Sequence, residues 1–164
     1  MKQAMSTSMI FKIVLIFTFL FIAFLTLAIT YNRAYRLKNS TLNIFEKYEG
    51  LGKKTLSITN SYLRNSGYKT IGQCEVGELG ITSLDDVQYE KVTNNKDKKY
   101  YYCVSDRVVK NNNMENVYYN IRLFFKFNLP FFEELLTYSI TGETKAIRVY
   151  DKDRQLIEGA HSWM

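Results

Sequence analysis

The feature that most constrains this chain is the uncharged run from Ile13 to Tyr31, IVLIFTFLFIAFLTLAITY. Its 19 residues include no glycine and no proline, and a helix needs about 20 apolar residues to cross the hydrocarbon core of a bilayer. Lys12 precedes the run and Arg33 follows it closely. We therefore expect residues 1–31 to form a cytoplasmic stub and a transmembrane helix, and residues 32–164 to form an extracytoplasmic domain.

Two other interpretations of this run compete with a retained anchor. The core helix of a soluble protein is apolar on one side, whereas Phe, Ile and Leu occur here on every face. A cleaved signal peptide has a shorter apolar segment of about 7–15 residues, although Thr26-Leu27-Ala28 has the small-x-small pattern of a cleavage site. We expect a single-pass anchor in the cell membrane, with the signal peptide as the alternative.

The charge of the chain argues against nucleic acid as a partner. The net charge is +6, and Lys2 and Lys12 lie before residue 32. The remaining surplus is small, and dense Lys/Arg clusters of the kind found in nucleic-acid-binding domains are missing from the sequence. The 13 Tyr and 11 Phe residues favour strands, so we expect a β-rich folded domain.

The helical part of the chain extends beyond the membrane run. Residues 32–49 have helical periodicity, and no glycine or proline separates them from the run, which predicts one helix from about Ile10 to Glu49 ended by Gly50. A second helix is predicted over Thr55–Asn65. The glycine-rich residues 72–80 are predicted to form a loop.

The second half of the chain has the period-two pattern of strands. Tyr100–Val108 is one predicted strand, and in Val117–Phe127 the odd-numbered residues are predicted to face a core. Residues 131–136 are predicted to form a connection of one helical turn, and residues 137–150 a further strand with a bulge near Gly142. The expected fold class is α+β: a long N-terminal transmembrane-plus-amphipathic helix followed by a small antiparallel β-meander of three or four strands.

Cys74 and Cys103 are the two cysteines of the chain. A matched pair in an exported domain predicts a disulfide, which would stabilise the fold by roughly 3–4 kcal/mol in the chain-entropy description. Two unrelated buried thiols are the alternative. Lysines and arginines nearly balance across the membrane run, so the positive-inside rule does not set the orientation. The predicted disulfide favours a cytoplasmic N-terminus and an extracytoplasmic C-terminal domain.

Signatures of catalysis are mostly missing from the sequence. It contains no P-loop, no GxSxG, no HExxH and no dinucleotide fingerprint. His161 is the single histidine and lies near the C-terminus, where chains are often poorly ordered. Asp85 and Asp86 are adjacent, which is typical of a turn rather than of an acid/base pair. We therefore predict no enzyme activity, no cofactor and no catalytic, cofactor-binding or metal-ligating residues.

Aromatic side chains form the candidate partner surface. Tyr101, Tyr118 and Phe124 are the residues that we select, because Tyr and Phe are enriched in protein interfaces. Phe124 is the most informative of them, since it falls on the polar face of its predicted strand. The alternative is that these aromatic rings provide core and cross-strand packing.

The segment from 117 to 147, VYYNIRLFFKFNLPFFEELLTYSITGETKAI, together with the long N-terminal helix, resembles the TadE/TadG-like pseudopilins of Tad (Flp) pilus assembly systems. The resemblance implies a bacterial, pilin-like structural or assembly subunit without catalysis, which contacts the lipid bilayer and other membrane or pilus-assembly subunits as a homo- or hetero-oligomer. The alternative function is a single-pass anchored extracytoplasmic domain that binds a protein or glycan partner.

Overall fold

The computed structural model describes residues 2–93, 98–111, 114–129 and 132–148. The elements are α1 (Lys2–Lys47), α2 (Lys53–Asn65), β1 (Leu79–Ser83), β2 (Gln88–Lys91), β3 (Tyr102–Asn111), β4 (Met114–Leu129), β5 (Phe132–Glu143) and β6 (Ile147–Arg148). The chain divides into two compact units. The first contains residues 1–33 and 127–136, and the second contains residues 34–126 and 137–164.

The part of α1 in the first unit carries the apolar run. The helix is continuous through the run, as predicted, and its large apolar side chains from Met9 to Ile29 are exposed. Three threonines interrupt the hydrocarbon surface, but their hydroxyls donate to backbone carbonyls four residues earlier at 2.8–2.9 Å, as at Thr18, Thr26 and Thr30. Their polar atoms are therefore satisfied within the helix.

In the second unit, α1 presents one face to the core. Ala34, Leu37, Thr41 and Phe45 are all at most 5% exposed, and their spacings of three and four residues place them on one side of the helix. The Phe45 ring packs 6.0 Å, centroid to centroid, from the ring of Tyr119 on β4. The amphipathic half of the helix therefore belongs to the core of the β domain.

The end of α1 is set by the predicted glycine. The Gly50 N–H donates to the Phe45 carbonyl at 2.9 Å, and Glu49 and Gly50 have φ values of 58° and 108°, which is the left-handed geometry of a helix C-terminus. A β-carbon at Gly50 would lie 2.7 Å from the Tyr119 ring. This position therefore needs glycine for both its backbone and its packing.

The second helix is also confirmed. Its buried face includes Leu56, Asn60 and Leu63. The chain then reverses through Gly67, which has a φ of 69°, while the Tyr68 N–H donates to the Leu63 carbonyl at 3.0 Å. Leu56 and Leu63 join the same hydrophobic core as the buried face of α1.

The sheet has the strand order β2-β1-β3-β4-β5, and β6 pairs with β4. The overall α+β prediction is confirmed, but the prediction of a loop over residues 72–80 is wrong at its end, because β1 begins at Leu79. Both β1 and β2 were missed as strands. β1 is short and contains Gly80, yet it pairs with β2 on one side and β3 on the other, so tertiary pairing outweighs its weak local signal.

β4 is the central element of the core. Its odd-numbered residues are at most 7% exposed from Val117 through Phe125, which confirms the predicted core face over those positions. The side chain of Phe127, which was predicted to continue this face, lies outside the described residues. The fully paired register with β3 runs from Tyr102 opposite Leu123 to Asn111 opposite Met114.

The last strands differ from the prediction in two places. The prediction of a helical turn over residues 131–136 is wrong from Phe132 onward, where β5 begins. The alternation of burial in β5 continues past Gly142 to buried Thr144 and exposed Lys145, and it breaks at Ala146, which is exposed, before buried Ile147. The predicted irregularity therefore exists, but it is the break between β5 and β6 rather than a bulge at Gly142.

Candidate functional site

One segment of the described chain, Ser8–Lys47 in α1, is long and apolar enough to cross a membrane. Its most apolar 18-residue window has a mean hydropathy of 2.8 and no buried residue. Phe17 and Ile29, for example, are each 69% exposed. A contiguous apolar surface of this size marks a membrane or protein contact rather than a surface facing water.

Phe124 does not form the predicted partner surface, because its side chain is 4% exposed. Its ring occupies the space beside Gly72, where a β-carbon would come within 2.2 Å of it. Its backbone N–H donates to the Tyr68 hydroxyl at 2.8 Å. The sequence placed Phe124 on the polar face of β4, but the segment around Gly72 covers that face and buries the ring.

Tyr101 is half-buried and packs against the core. Its carbonyl accepts a hydrogen bond of 2.7 Å from the Tyr68 hydroxyl, and its N–H donates to the Ile81 carbonyl at 2.9 Å. Burial raises the pKa of Tyr68, although its hydrogen bond from Phe124 acts in the opposite direction. Tyr68, which the sequence analysis did not select, therefore joins Tyr101 to Phe124 as part of the fold.

Tyr118, like Tyr101, is half-buried. It lies opposite Arg107 in the β3–β4 register, and the Arg107 guanidinium sits 4.9 Å from the centroid of its ring. Arg107 also forms an ion pair of 2.7 Å with Glu143. Six residues of strand separate Tyr118 from Phe124, which is about 20 Å, so the three predicted residues do not form one contiguous aromatic surface.

The predicted disulfide between Cys74 and Cys103 is present, with 5.6 Å between the two Cα atoms. Cys103 is fully buried in β3, directly opposite Arg122 of β4. The bond therefore fixes the loop that precedes β1 to the middle of the sheet. It closes this loop across a sequence separation of 29 residues.

An ion cluster that the sequence analysis did not predict surrounds this disulfide. Arg122 pairs with Glu75 at 2.7 Å and with Glu78 at 3.1 Å, and the Glu75 N–H donates to Glu78 Oε2 at 2.8 Å. The hydrogen bond from Arg122, followed by its charge, lowers the pKa of the Glu75 carboxyl. The sequence did place Arg122 on the same face of β4 as Phe124. In the structure, the loop that carries Cys74 covers this face.

The same region holds a group of three residues with metal-ligand chemistry. The sulfurs of Cys74 and Cys103 and a carboxylate oxygen of Glu78 lie within 4.8 Å of one another. The two sulfurs are bonded to each other, so neither is a thiolate ligand, and Glu78 is paired with Arg122. In the oxidised protein this arrangement is suited to holding the loop and not to binding a metal.

The adjacent aspartates, which the sequence analysis considered as an acid/base pair, have a structural role. Asp85 and Asp86 lie in the turn between β1 and β2, where their N–H groups donate to Ser83 Oγ, as the sequence predicted.

His161 lies outside the described residues. A recess lined by Leu51, Leu79 and other residues has a volume of about 10 Å³, which is about the space of one water molecule.

The protein therefore belongs to the class of α+β domains that carry an N-terminal helix of membrane-spanning length. Comparison with protein-family models, with curated proteins and with solved structures finds no match to this chain.

Proposed function

We propose that this protein is a membrane-anchored structural or assembly subunit of a pilin-like bacterial surface system. The apolar half of α1 lies in the cytoplasmic membrane, and the α+β domain lies outside the cytoplasm. The helix contacts the helices of neighbouring subunits. The protein has no catalytic role and acts through assembly.

The observation that carries the proposal is the continuity of α1. A single helix of 46 residues exposes an apolar first part and buries one face of its second part in the β domain. A simple membrane tether needs no continuous helix, because a flexible linker would also hold a binding domain near the membrane. In a subunit of an ordered assembly, one helix can provide both the contact with neighbouring helices and a part of the core of the domain.

The disulfide supports the proposed side of the membrane. Disulfides persist in oxidising compartments and are rare in the cytoplasm. The Cys74–Cys103 bond lies in the unit that follows the apolar run, so it fits an extracytoplasmic domain and a cytoplasmic N-terminus.

Site-specific photocrosslinking from the exposed face of α1 tests the assembly role. A photoreactive amino acid is placed at Phe21, which is 54% exposed, and at exposed Asn120 on the outer face of β4 as the control. We expect defined adducts with a second copy or another membrane subunit from position 21, and recovery of the protein in the surface fraction released by shear. Adducts with lipid alone, together with absence from the sheared fraction, would favour the anchored binding domain and contradict the proposal.

A further inference from the structure

The residues around the disulfide include three side chains that can act together as metal ligands. Cys74 Sγ, Cys103 Sγ and a carboxylate oxygen of Glu78 all lie within 4.8 Å of one another. Cysteine sulfurs and carboxylate oxygens are among the ligands that bind Zn²⁺ in proteins. The disulfide prevents such binding in the oxidised protein, because a bonded sulfur is not a thiolate. The candidate site therefore belongs to the reduced protein, and Glu78, which the sequence analysis did not select, supplies its third ligand.

Backbone hydrogen bonds hold the loop before β1 to neighbouring segments at both of its ends. Gly72 and Tyr100 exchange two of them, at 2.9 and 2.8 Å, and the Phe124 ring packs against Gly72. Further along the loop, the Gly77 N–H donates to the Val92 carbonyl at 2.8 Å. Since none of these contacts involves a sulfur, we expect the two thiols to stay next to each other after the S–S bond is broken.

The separation of the two cysteines suits a tetrahedral metal ion. Their Cα atoms are 5.6 Å apart. Two Zn–S bonds of about 2.3 Å at a tetrahedral angle place the sulfurs about 3.8 Å apart, which rotation of the reduced side chains about their Cα–Cβ bonds allows. Cys103 and Glu78 are buried, whereas Cys74 is half-buried. The ion and a water molecule as its fourth ligand can therefore enter from the side of Cys74.

Arg122 balances the charge of such a site. Two thiolates and one carboxylate around a divalent ion have a net charge of −1, and the Arg122 guanidinium lies 3.1 Å from Glu78 Oε1. This compensation is needed because Cys103 and Glu78 are 0% and 8% exposed, and an unpaired charge is costly when buried. Glu75, the other partner of Arg122, is 70% exposed, so water screens its charge. The Glu75 N–H also donates to Glu78 Oε2 at 2.8 Å, and hydrogen bonds of this kind orient ligating carboxylates.

We propose that the reduced protein binds one Zn²⁺ ion through Cys74, Cys103 and Glu78, and that the disulfide and the bound metal exclude each other. Thiolates select a thiophilic cation such as Zn²⁺ over Mg²⁺ and Ca²⁺, which prefer oxygen ligands. The newly made chain is in the reduced state before its disulfide forms. A dithiol reductant regenerates this state, because it breaks the S–S bond, gives two thiols and itself becomes a disulfide. Binding of the ion then releases the two thiol protons.

This inference goes beyond the proposed assembly role and does not depend on it. The test is metal titration of the full-length protein in mild detergent, either oxidised or reduced with dithiothreitol that is then removed by anaerobic gel filtration. Cd²⁺ is the optical probe, because cadmium–thiolate bonds absorb in the ultraviolet, and Zn²⁺ affinity is measured by competition with a chromophoric chelator. Near-ultraviolet circular dichroism verifies the fold.

Three variants separate the ligands from their surroundings. Glu78→Gln removes the carboxylate ligand. Glu75→Gln is the matched control, because it also removes a carboxylate that pairs with Arg122 but leaves the three ligands in place. The double variant Cys74→Ser/Cys103→Ser removes both sulfurs.

We expect one equivalent of Cd²⁺ to produce thiolate absorption in the reduced wild type and none in the oxidised protein or the double variant. Glu78→Gln should weaken Zn²⁺ binding by at least about tenfold, whereas Glu75→Gln should bind nearly as tightly as the wild type. If reduction unfolds the domain, Zn²⁺ should restore its near-ultraviolet signal.

Three results would overturn the proposal. The first is a reduced, folded wild type that binds neither metal, and the second is a reduced, unfolded wild type that Zn²⁺ does not refold. The third is equal weakening by Glu78→Gln and Glu75→Gln, because Glu78 would then act through Arg122 and would not be a ligand.

Discussion

Phe45→Ala tests whether the second half of α1 is an integral part of the β domain. The Phe45 side chain is 0% exposed and packs on the Tyr119 ring. Truncating a fully buried phenylalanine removes its transfer free energy and leaves a cavity, which costs about 3–5 kcal/mol. Folded domains have a total free energy of unfolding of roughly 5–15 kcal/mol, so this single change should remove a large part of the stability.

The same helix provides a matched control for this substitution. Phe21 is 54% exposed, and alanine has a higher helix propensity than phenylalanine by at most about 0.7 kcal/mol. Phe21→Ala should therefore leave the stability of the β domain unchanged within a few tenths of a kcal/mol, or raise it slightly. The two variants differ in position along one helix and not in chemistry.

The assay is thermal unfolding of the full-length protein in mild detergent, followed by near-ultraviolet circular dichroism of the tyrosines. For a domain of this size, a loss of 3 kcal/mol or more corresponds to a decrease in melting temperature of roughly 10 °C or more. Equal melting temperatures for Phe45→Ala and Phe21→Ala would refute the assignment of Phe45 to the core. If Phe21→Ala alone lowered the melting temperature strongly, the first half of α1 would be the part that packs in the core, and the assignment would be wrong.

Two further outcomes follow from the region around the disulfide. Replacing both Cys74 and Cys103 by serine opens a loop with a sequence separation of 29 residues, so unfolding experiments should show a loss of about 3–4 kcal/mol, and reductant should destabilise the wild type but not the variant. Because Arg122 lowers the folded-state pKa of Glu75 below 4.5, the unfolded state binds more protons, and this contribution to stability is lost as the pH falls through the folded pKa. Stability should therefore decrease below about pH 4.5, and Glu75→Gln should make that decrease shallower; an unchanged profile would contradict the Arg122 contact.

The elements with strong periodicity could be predicted from the sequence. The continuous α1 and the core face of β4 depend on patterns that extend over many residues, and tertiary packing strengthens both. β1 and β2 could not be predicted in the same way. They contain five and four residues, and β1 is stabilised by pairing with β3, where Leu79 lies opposite Val104 and Ile81 opposite Tyr102, so its partner is distant in the sequence.

Phe124 shows why the partner surface was harder to predict than the disulfide. Two cysteines allow one intramolecular pairing, with two unrelated thiols as the alternative, and the predicted bond is present. The burial of Phe124 depends on the loop around Gly72, which crosses the outer face of β4 and is held there by the Cys74–Cys103 bond. Strand alternation gives the face of a residue, but it does not show whether a loop covers that face.

The central claim is that one helix passes from lipid into the core of an extramembrane domain. Spin labels on single introduced cysteines test it directly, since the native cysteines are held in the disulfide. With the protein in vesicles, we expect labels at exposed Phe17, Phe21 and Phe24 to collide strongly with oxygen and weakly with a water-soluble nickel complex, and a label at exposed Arg36 to show the reverse. High accessibility to the nickel complex at positions 17 through 24 would contradict the account, because the apolar half of α1 would then lie in water.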